Sequence, residues 1–273
     1  HGFFKGNSMN GLFERNLVIC EWRHRGGLRV GLSFGGGGGE SNKICEDGDC
    51  TNRHSHGVMR NNIVMNCPAD VGIYVNKGKD SHIYNNLLFN TGGIDVRFEQ
   101  SQALLQNNIV TGSIRARNGG QFNEDSNLLA GSWLGIVLGP GTRYVKRRLD
   151  GQDLKYPRYI SKGDVEWVQG MVDDVSLFVA NSWLGFGNNT IRDLFRQPDA
   201  GDFTVTEPER IVDRANPIAD LKDDFCGQQR GPGPHDIGPF EVGASNCDPR
   251  RRIERLLEVE RVTPEGPPAN AKP

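Results

Sequence analysis

An all-β fold is predicted here, a single-stranded right-handed parallel β-helix (β-solenoid) with loop insertions and a C-terminal closing segment. Two observations predict it. The first is a short phrase repeated five times in the first 130 residues, an asparagine followed by two aliphatic residues: Asn16-Leu17-Val18, Asn62-Ile63-Val64, Asn86-Leu87-Leu88, Asn108-Ile109-Val110 and Asn127-Leu128-Leu129. The asparagines are separated by 46, 24, 22 and 19 residues. A period near 20 with one strand per phrase suits stacked coils, because a single coil cannot bury its own apolar side. Asparagine tolerates the left-handed bend, and stacked amides can hydrogen-bond along a ladder. The first gap is two periods long, so it holds either a degenerate coil or a large loop.

The second observation is an alternating register that follows the first four phrases. Leu28-Arg29-Val30-Gly31, Ile73-Tyr74-Val75-Asn76, Ile94-Asp95-Val96-Arg97 and Ile114-Arg115-Ala116-Arg117 each place apolar residues at every second position. Strand side chains point alternately to the two faces. Stacking therefore puts Leu28, Ile73, Ile94 and Ile114 in one interior column and Val30, Val75, Val96 and Ala116 in the next. The outward columns read Arg29, Tyr74, Asp95, Arg115 and Gly31, Asn76, Arg97, Arg117.

Along the chain, residues 1–130 hold the coils, with a glycine-rich and cysteine-bearing loop at 33–56 that includes Gly35 to Gly39. No Gly-Lys-Ser/Thr closes the glycine run, so it is not a phosphate-binding loop. Residues 131–247 lose the period but keep strand-like runs (Ile136-Val137-Leu138, Val165-Glu166-Trp167-Val168, Ser176-Leu177-Phe178-Val179) and belong to the same domain. They end in His235-Asp236-Ile237-Gly238-Pro239-Phe240-Glu241, a closing segment. Residues 248–273 read as a short amphipathic helix and a disordered tail.

Composition narrows the partners. A formal net charge of −2 supplies no field toward nucleic acid or an acidic membrane, and no apolar run reaches membrane-spanning length. The start, His1-Gly2-Phe3-Phe4, lacks the features of a signal peptide and reads as a mature or truncated product. Six cysteines form an even set, and local pairing offers Cys20–Cys67, Cys45–Cys50 and Cys226–Cys247. Disulfides imply an oxidising compartment, so the chain is expected to be secreted, extracellular or periplasmic.

The stretch from Val75 to Arg97, with Lys77 after one strand and Arg97 ending the next, resembles the active-site coil of the chondroitinase B and alginate lyase family. The resemblance covers about 40 of 273 residues. The closing Asp236-Ile237-Gly238-Pro239-Phe240-Glu241 is similar to the phrase that ends many secreted β-helix proteins of the pectate-lyase-like superfamily. The lyase resemblance implies a lysine base that removes the proton α to a uronate carboxylate, an assisting arginine one coil later, and calcium neutralising the carboxylate. Carried over, Lys77 is the base and Arg97 the assisting residue. The calcium positions before the lysine fall on Asp70 and Gly72, so Asp70 is the one acid left for the metal. Phe98-Glu99 follows Arg97 where the family has His-Gly, and the Lys-to-Arg spacing is one residue short.

Acidic polysaccharide is also the partner that the residues themselves favour. Arg29, Lys77, Arg97, Arg115 and Arg117 fall on one outward surface, and arginine forks pair well with carboxylates and sulfates. Tyr74 can stack on a sugar ring, and Asn76, Asp95 and Glu99 complete the candidate binding residues. The competing reading has Asp95 and Glu99 neutralising the strip as cross-coil pairs. Three functions remain open: a uronate lyase, a non-catalytic glycan-binding or structural β-helix, and a glycoside hydrolase using paired acids from Asp70, Asp95 and Glu99. His54 and His56 alternate on one extended segment and are expected to face the same side, where they could bind metal or move protons. Glu46, Asp47 and Asp49 offer oxygen ligands for calcium in the cysteine loop.

Overall fold

The computed structural model describes residues 2–20, 30–36, 51–67, 71–130, 191, 193–198 and 201–243. Leu28, Arg29, Asp70, the acids Glu46, Asp47 and Asp49, the runs predicted between 131 and 190 and the tail from 248 lie outside the described residues.

The described chain is almost all-β, with three parallel sheets visited in rotation, an arrangement consistent with a β-solenoid. β1 (Gly2–Phe4), β2 (Ser8–Met9), β3 (Leu12–Glu14) and β4 (Leu17–Ile19) make the first coil, and β5 (Val30–Phe34) begins the second. There follow β6 (His54–Arg60), β7 (Ile63–Cys67), β8 (Val71–Asn76), β9 (Gly78–Tyr84), β10 (Leu87–Thr91) and β11 (Gly93–Arg97). β12 (Gln102–Gln106), β13 (Ile109–Thr111), β14 (Ser113–Arg117), β15 (Gln121–Asp125) and β16 (Leu128–Ala130) complete the stack. The sheets run β1-β5-β8-β11-β14, β4-β7-β10-β13-β16, and β2 and β3 with β6-β9-β12-β15, so from β6 onward every third strand returns to the same sheet. β4 pairs directly with β7, so the long first gap spans a single coil.

Ile73, Ile94 and Ile114 stack as the alternation predicts, and Val75 stands in register with Val96 and Ala116, although Ala116, on the last strand of its sheet, is exposed rather than interior. The first copy is corrected by four residues: Leu32 stands beside Ile73, Phe34 beside Val75, and Val30 beside Val71. Leu28 and Val30 therefore do not hold the columns predicted for them, and Gly31 does not precede Asn76 in the outward column. An even shift preserves the alternation of faces, so a period of two cannot tell the two registers apart. The interior is apolar, with Leu32, Phe34, Ile73, Val75, Ile94 and Val96 all buried. Each such side chain contributes about 1.5–3 kcal/mol.

The predicted ladder is continuous. The Nδ2 amide of Asn16 donates to Oδ1 of Asn62, Asn62 to Asn86, Asn86 to Asn108 and Asn108 to Asn127, at 2.9–3.0 Å. Each Oδ1 also accepts the backbone N–H of the preceding ladder residue at 3.0 Å. The left-handed bend, however, falls one residue earlier, on Arg15, Asn61, Asn85, Asn107 and Ser126, with φ of 52–54°. The doublets Asn61-Asn62, Asn85-Asn86 and Asn107-Asn108 thus split two tasks. The second asparagine builds the inward ladder, and the first turns the chain and points outward.

Those outward amides seat the C-terminal segment. Asn85 Nδ2 donates to the carbonyls of Asp236 (3.1 Å) and Gly238 (3.0 Å). Asn107 donates to the Asn216 carbonyl and accepts the Asn216 N–H, each at 2.9 Å. Asn61 Nδ2 donates to the Asp223 carbonyl at 2.7 Å. Behind these bonds, Ile211, Phe225, Ile237 and Phe240 cover Ile63, Leu87, Phe89 and Ile109 on the outer face of the β7-β10-β13 sheet. The segment that ends in Asp236-Ile237-Gly238-Pro239-Phe240-Glu241 therefore packs on the outer face of this sheet. β17 (Phe195–Gln197) and β18 (Asp202–Val205) form a small antiparallel pair in the same layer.

Cys20 and Cys67 are bonded as predicted, Cα–Cα 5.1 Å apart on adjacent coils. Tying residues 47 apart in sequence restricts the unfolded chain by about 4 kcal/mol on the chain-entropy account. Cys226 is also disulfide-bonded, while Cys45, Cys50 and Cys247 lie outside the described residues.

Candidate functional site

Lys77 and Arg97 come together through a corner of the stack. Three residues follow successive strands of one sheet there, Lys77, Phe98 and Asn118, all left-handed with φ of 56°, 77° and 54°. Lys77 N–H donates to the Arg97 carbonyl (3.4 Å) and Phe98 N–H to the Arg117 carbonyl (3.0 Å), which sets the corner residues above one another. Left-handed geometry strains a bulky L-residue by about 1–2 kcal/mol, strain a glycine would not carry. The Phe98 ring is held there nonetheless, and it is what the two cations share. Lys77 Nζ sits 5.9 Å from its centroid and the Arg97 guanidinium carbon 4.6 Å. Arg97 Nε also donates to Asn118 Oδ1 at 3.3 Å. Phe98 and Asn118 were not singled out in the sequence, although the Phe98-Glu99 departure marks the place.

The neighbouring strip is organised differently. Tyr74, Asp95 and Arg115 stand side by side in register, as predicted, but Asp95 is 0% exposed and Tyr74 4%. Arg117 grips Asp95 with a fork, Nε to Oδ1 at 3.0 Å and Nη2 to Oδ2, and Arg115 Nη2 lies 3.5 Å from Oδ2. Both Asp95 oxygens are therefore engaged by arginines of the next coil. Asn76 is buried beside Arg97 in register. Glu99 is exposed, packed over the turn at Gly119. Arg29 and Asp70 lie outside the described residues.

The two histidines expected on one side are on opposite sides. A left-handed φ of 53° at His56 breaks the alternation. His54 points inward, stacked on Phe34 (4.5 Å) and Phe4 (5.4 Å). It accepts the Gly11 N–H at Nε2 (3.3 Å) and contacts Ser8 Oγ through Nδ1 (3.0 Å). Burial pushes its pKa down from 6.5 to about 4. The fold thus favours the neutral ring, so this contribution to stability is complete above about pH 6.5 and is lost as pH falls toward about 4. We expect an acid limb of up to about 3 kcal/mol in denaturant unfolding across that window, removed in His54→Phe. An unchanged limb in the variant would assign it elsewhere.

His56 faces out and pairs with Asp80, Nδ1 to Oδ2 at 2.7 Å, while His82 Nε2 meets Oδ1 of the same carboxylate at 2.9 Å. Hydrogen bonding from His56, reinforced by His82, pulls the Asp80 carboxyl below its usual range. Among the described residues no group of His, Cys, Asp or Glu is arranged to hold a metal ion, so the metal reading of His54 and His56 finds no support there.

No protein-family model, no characterised protein and no solved structure matches this chain.

Proposed function

We propose that this chain is an exported, right-handed parallel β-helix protein that acts on an acidic polysaccharide by β-elimination, with Lys77 as base and Arg97 as carboxylate-binding partner. The observation that carries the reading is the meeting of these two cations on the Phe98 ring. Elimination next to a uronate carboxylate needs a base at the α-proton and a cation on the carboxylate, where negative charge accumulates. Arg97 meets the second requirement, and Lys77 on the adjacent coil meets the first once its ammonium has given its proton to solvent: the neutral amine takes the α-proton, the bond from the β-carbon to the glycosidic oxygen breaks, and that oxygen takes a proton from water. The Cys20–Cys67 bond supports export. Calcium is given no step: Gly72 carries no carboxylate, and Asp70 is the one candidate ligand from the sequence.

A second reading, a non-catalytic structural β-helix that packs into a cell-surface or extracellular assembly, is favoured by one observation. Arg115 and Arg117 are drawn to Asp95, and Tyr74 and Asn76 are buried, which leaves few groups to contact a polymer. The same engagement of Asp95 argues against its use as a hydrolase carboxylate.

The test is incubation with alginate, chondroitin, pectate and heparinoid, with calcium supplied, reading near-ultraviolet absorbance of unsaturated ends. We expect product from at least one polymer, loss of the signal in Lys77→Ala, and a drop of about a hundredfold in Arg97→Lys, on the scale of one lost charge-stabilising donor. Phe98→Tyr should keep the activity and Phe98→Leu lose most of it, since only the former preserves an electron-rich ring face. Binding without product overturns the elimination step alone, and neither binding nor product overturns the polysaccharide reading and supports the second.

A further inference from the structure

We propose that Asn118 is a site of spontaneous deamidation, whose product carboxylate captures Arg97. The chain contains two Asn-Gly pairs, Asn10-Gly11 and Asn118-Gly119. Glycine after asparagine leaves the backbone nitrogen unhindered as a nucleophile. Both asparagines are exposed and left-handed, yet the two nitrogens differ. Gly11 is buried and its N–H is donated to His54 Nε2. Gly119 is exposed at the tip of the turn that Gly120 N–H closes on the Arg117 carbonyl (3.1 Å), and its own N–H has no hydrogen bond among the described residues. Arg97 Nε donates to Asn118 Oδ1, drawing electron density from the carbon to be attacked. Position 119 also keeps its glycine for structural reasons, with φ of 87° and Glu99 Cγ 2.5 Å from where a Cβ would stand.

In the step, the Gly119 nitrogen gives its proton to a solvent base and bonds to Asn118 Cγ. The Cγ–Nδ2 bond breaks, and ammonia leaves with a proton taken from water. Water then opens the cyclic imide at either carbonyl, giving aspartate or isoaspartate. The new carboxylate stands where Oδ1 already accepts from Arg97, so the guanidinium gains a fixed anion. This last consequence rests on the reading of Lys77 and Arg97 as the polymer site; the modification itself does not.

The experiment is timed incubation of the folded full chain at mildly alkaline pH, followed by peptide mass mapping that separates aspartate from isoaspartate. Conversion at Asn118 is expected at least about tenfold faster than at Asn10, the protection given by a hydrogen-bonded, buried nitrogen. Equal rates, conversion first at Asn10, or no conversion at Asn118 while a peptide of residues 114–122 converts would each overturn the assignment. Capture of Arg97 is tested separately with Asn118→Asp and Asn118→Ser. If the polymer binds wild type, the aspartate variant should bind several-fold more weakly than the serine variant, and equal affinity would remove the capture step. Failure of wild type to bind any polymer counts against the proposed function and leaves the mass result standing.

Discussion

Asn86→Ala is expected to lower the unfolding free energy by about 3–5 kcal/mol, the range reached when a buried network loses a central member. Asn86 is fully buried. Its amide nitrogen donates to Asn108 Oδ1 and to the carbonyls of Met59 and Tyr84, and its oxygen accepts both the side-chain and main-chain N–H of Asn62. Truncation leaves donors on one coil and acceptors on the next without partners, in an interior that water does not reach. Asn16→Ala, at the half-buried end of the same ladder, removes only the side-chain amide donor to Asn62 Oδ1 and the Glu14 carbonyl while the main-chain N–H to Asn62 stays, and should cost about 1 kcal/mol. Guanidinium unfolding of the two variants at one pH measures the difference. Equal losses would mean that the ladder acts as separate turns rather than as a column.

The ladder was legible because identical residues recur at the coil period, and only stacking makes identical neighbours useful. The outward role of Asn61, Asn85 and Asn107 was not, since their partners lie 109–162 residues away in a segment with no repeat. The interior columns could be read from alternation, but their register at Val30–Phe34 could not, because alternation is blind to even shifts. Lys77 and Arg97 were found from a motif-like stretch. The fate of the strip beside them was hidden: an alternating pattern says that Asp95 points out of the coil, not that Arg117 closes over it until no surface remains. Phe98 was passed over because left-handed φ at a bulky aromatic is a property of the backbone, and sequence pattern predicts glycine or asparagine there.

Arg230→Met should release the C-terminal layer from the coils. The Arg230 side chain is 0% exposed and reaches Glu241, Asn61 Oδ1 (3.2 Å) and the carbonyls of Asp223 (3.1 Å), Gly238 (3.0 Å) and Asp236 (3.4 Å). It therefore joins the closing phrase to the outward asparagine of one coil. Burial pushes the Glu241 carboxyl up, against the pull of Arg230, so the pair is a desolvated one. Removing one partner of such a pair costs about 3–5 kcal/mol, mostly from the charge left behind. Methionine fills similar volume but donates nothing, so Glu241, Asn61 Oδ1 and three carbonyls lose the guanidinium, and the carbonyls keep only the asparagine amides. The loss has a ceiling set by docking: once the layer detaches, Ile63, Leu87, Phe89 and Ile109 are bare, while the interior columns and the Cys20–Cys67 bond still hold the coils together. We therefore expect a separate low-temperature transition, dye binding to the bared face, and proteolysis between 191 and 243 with the coil fragment surviving. Arg230→Lys should not rescue it, since one ammonium cannot serve acceptors on five residues. Adding Glu241→Leu to Arg230→Met should recover part of the loss by removing the stranded acid. A single cooperative transition in Arg230→Met, with no fragment, would show instead that coils and layer fold as one unit and that Arg230 stabilises both.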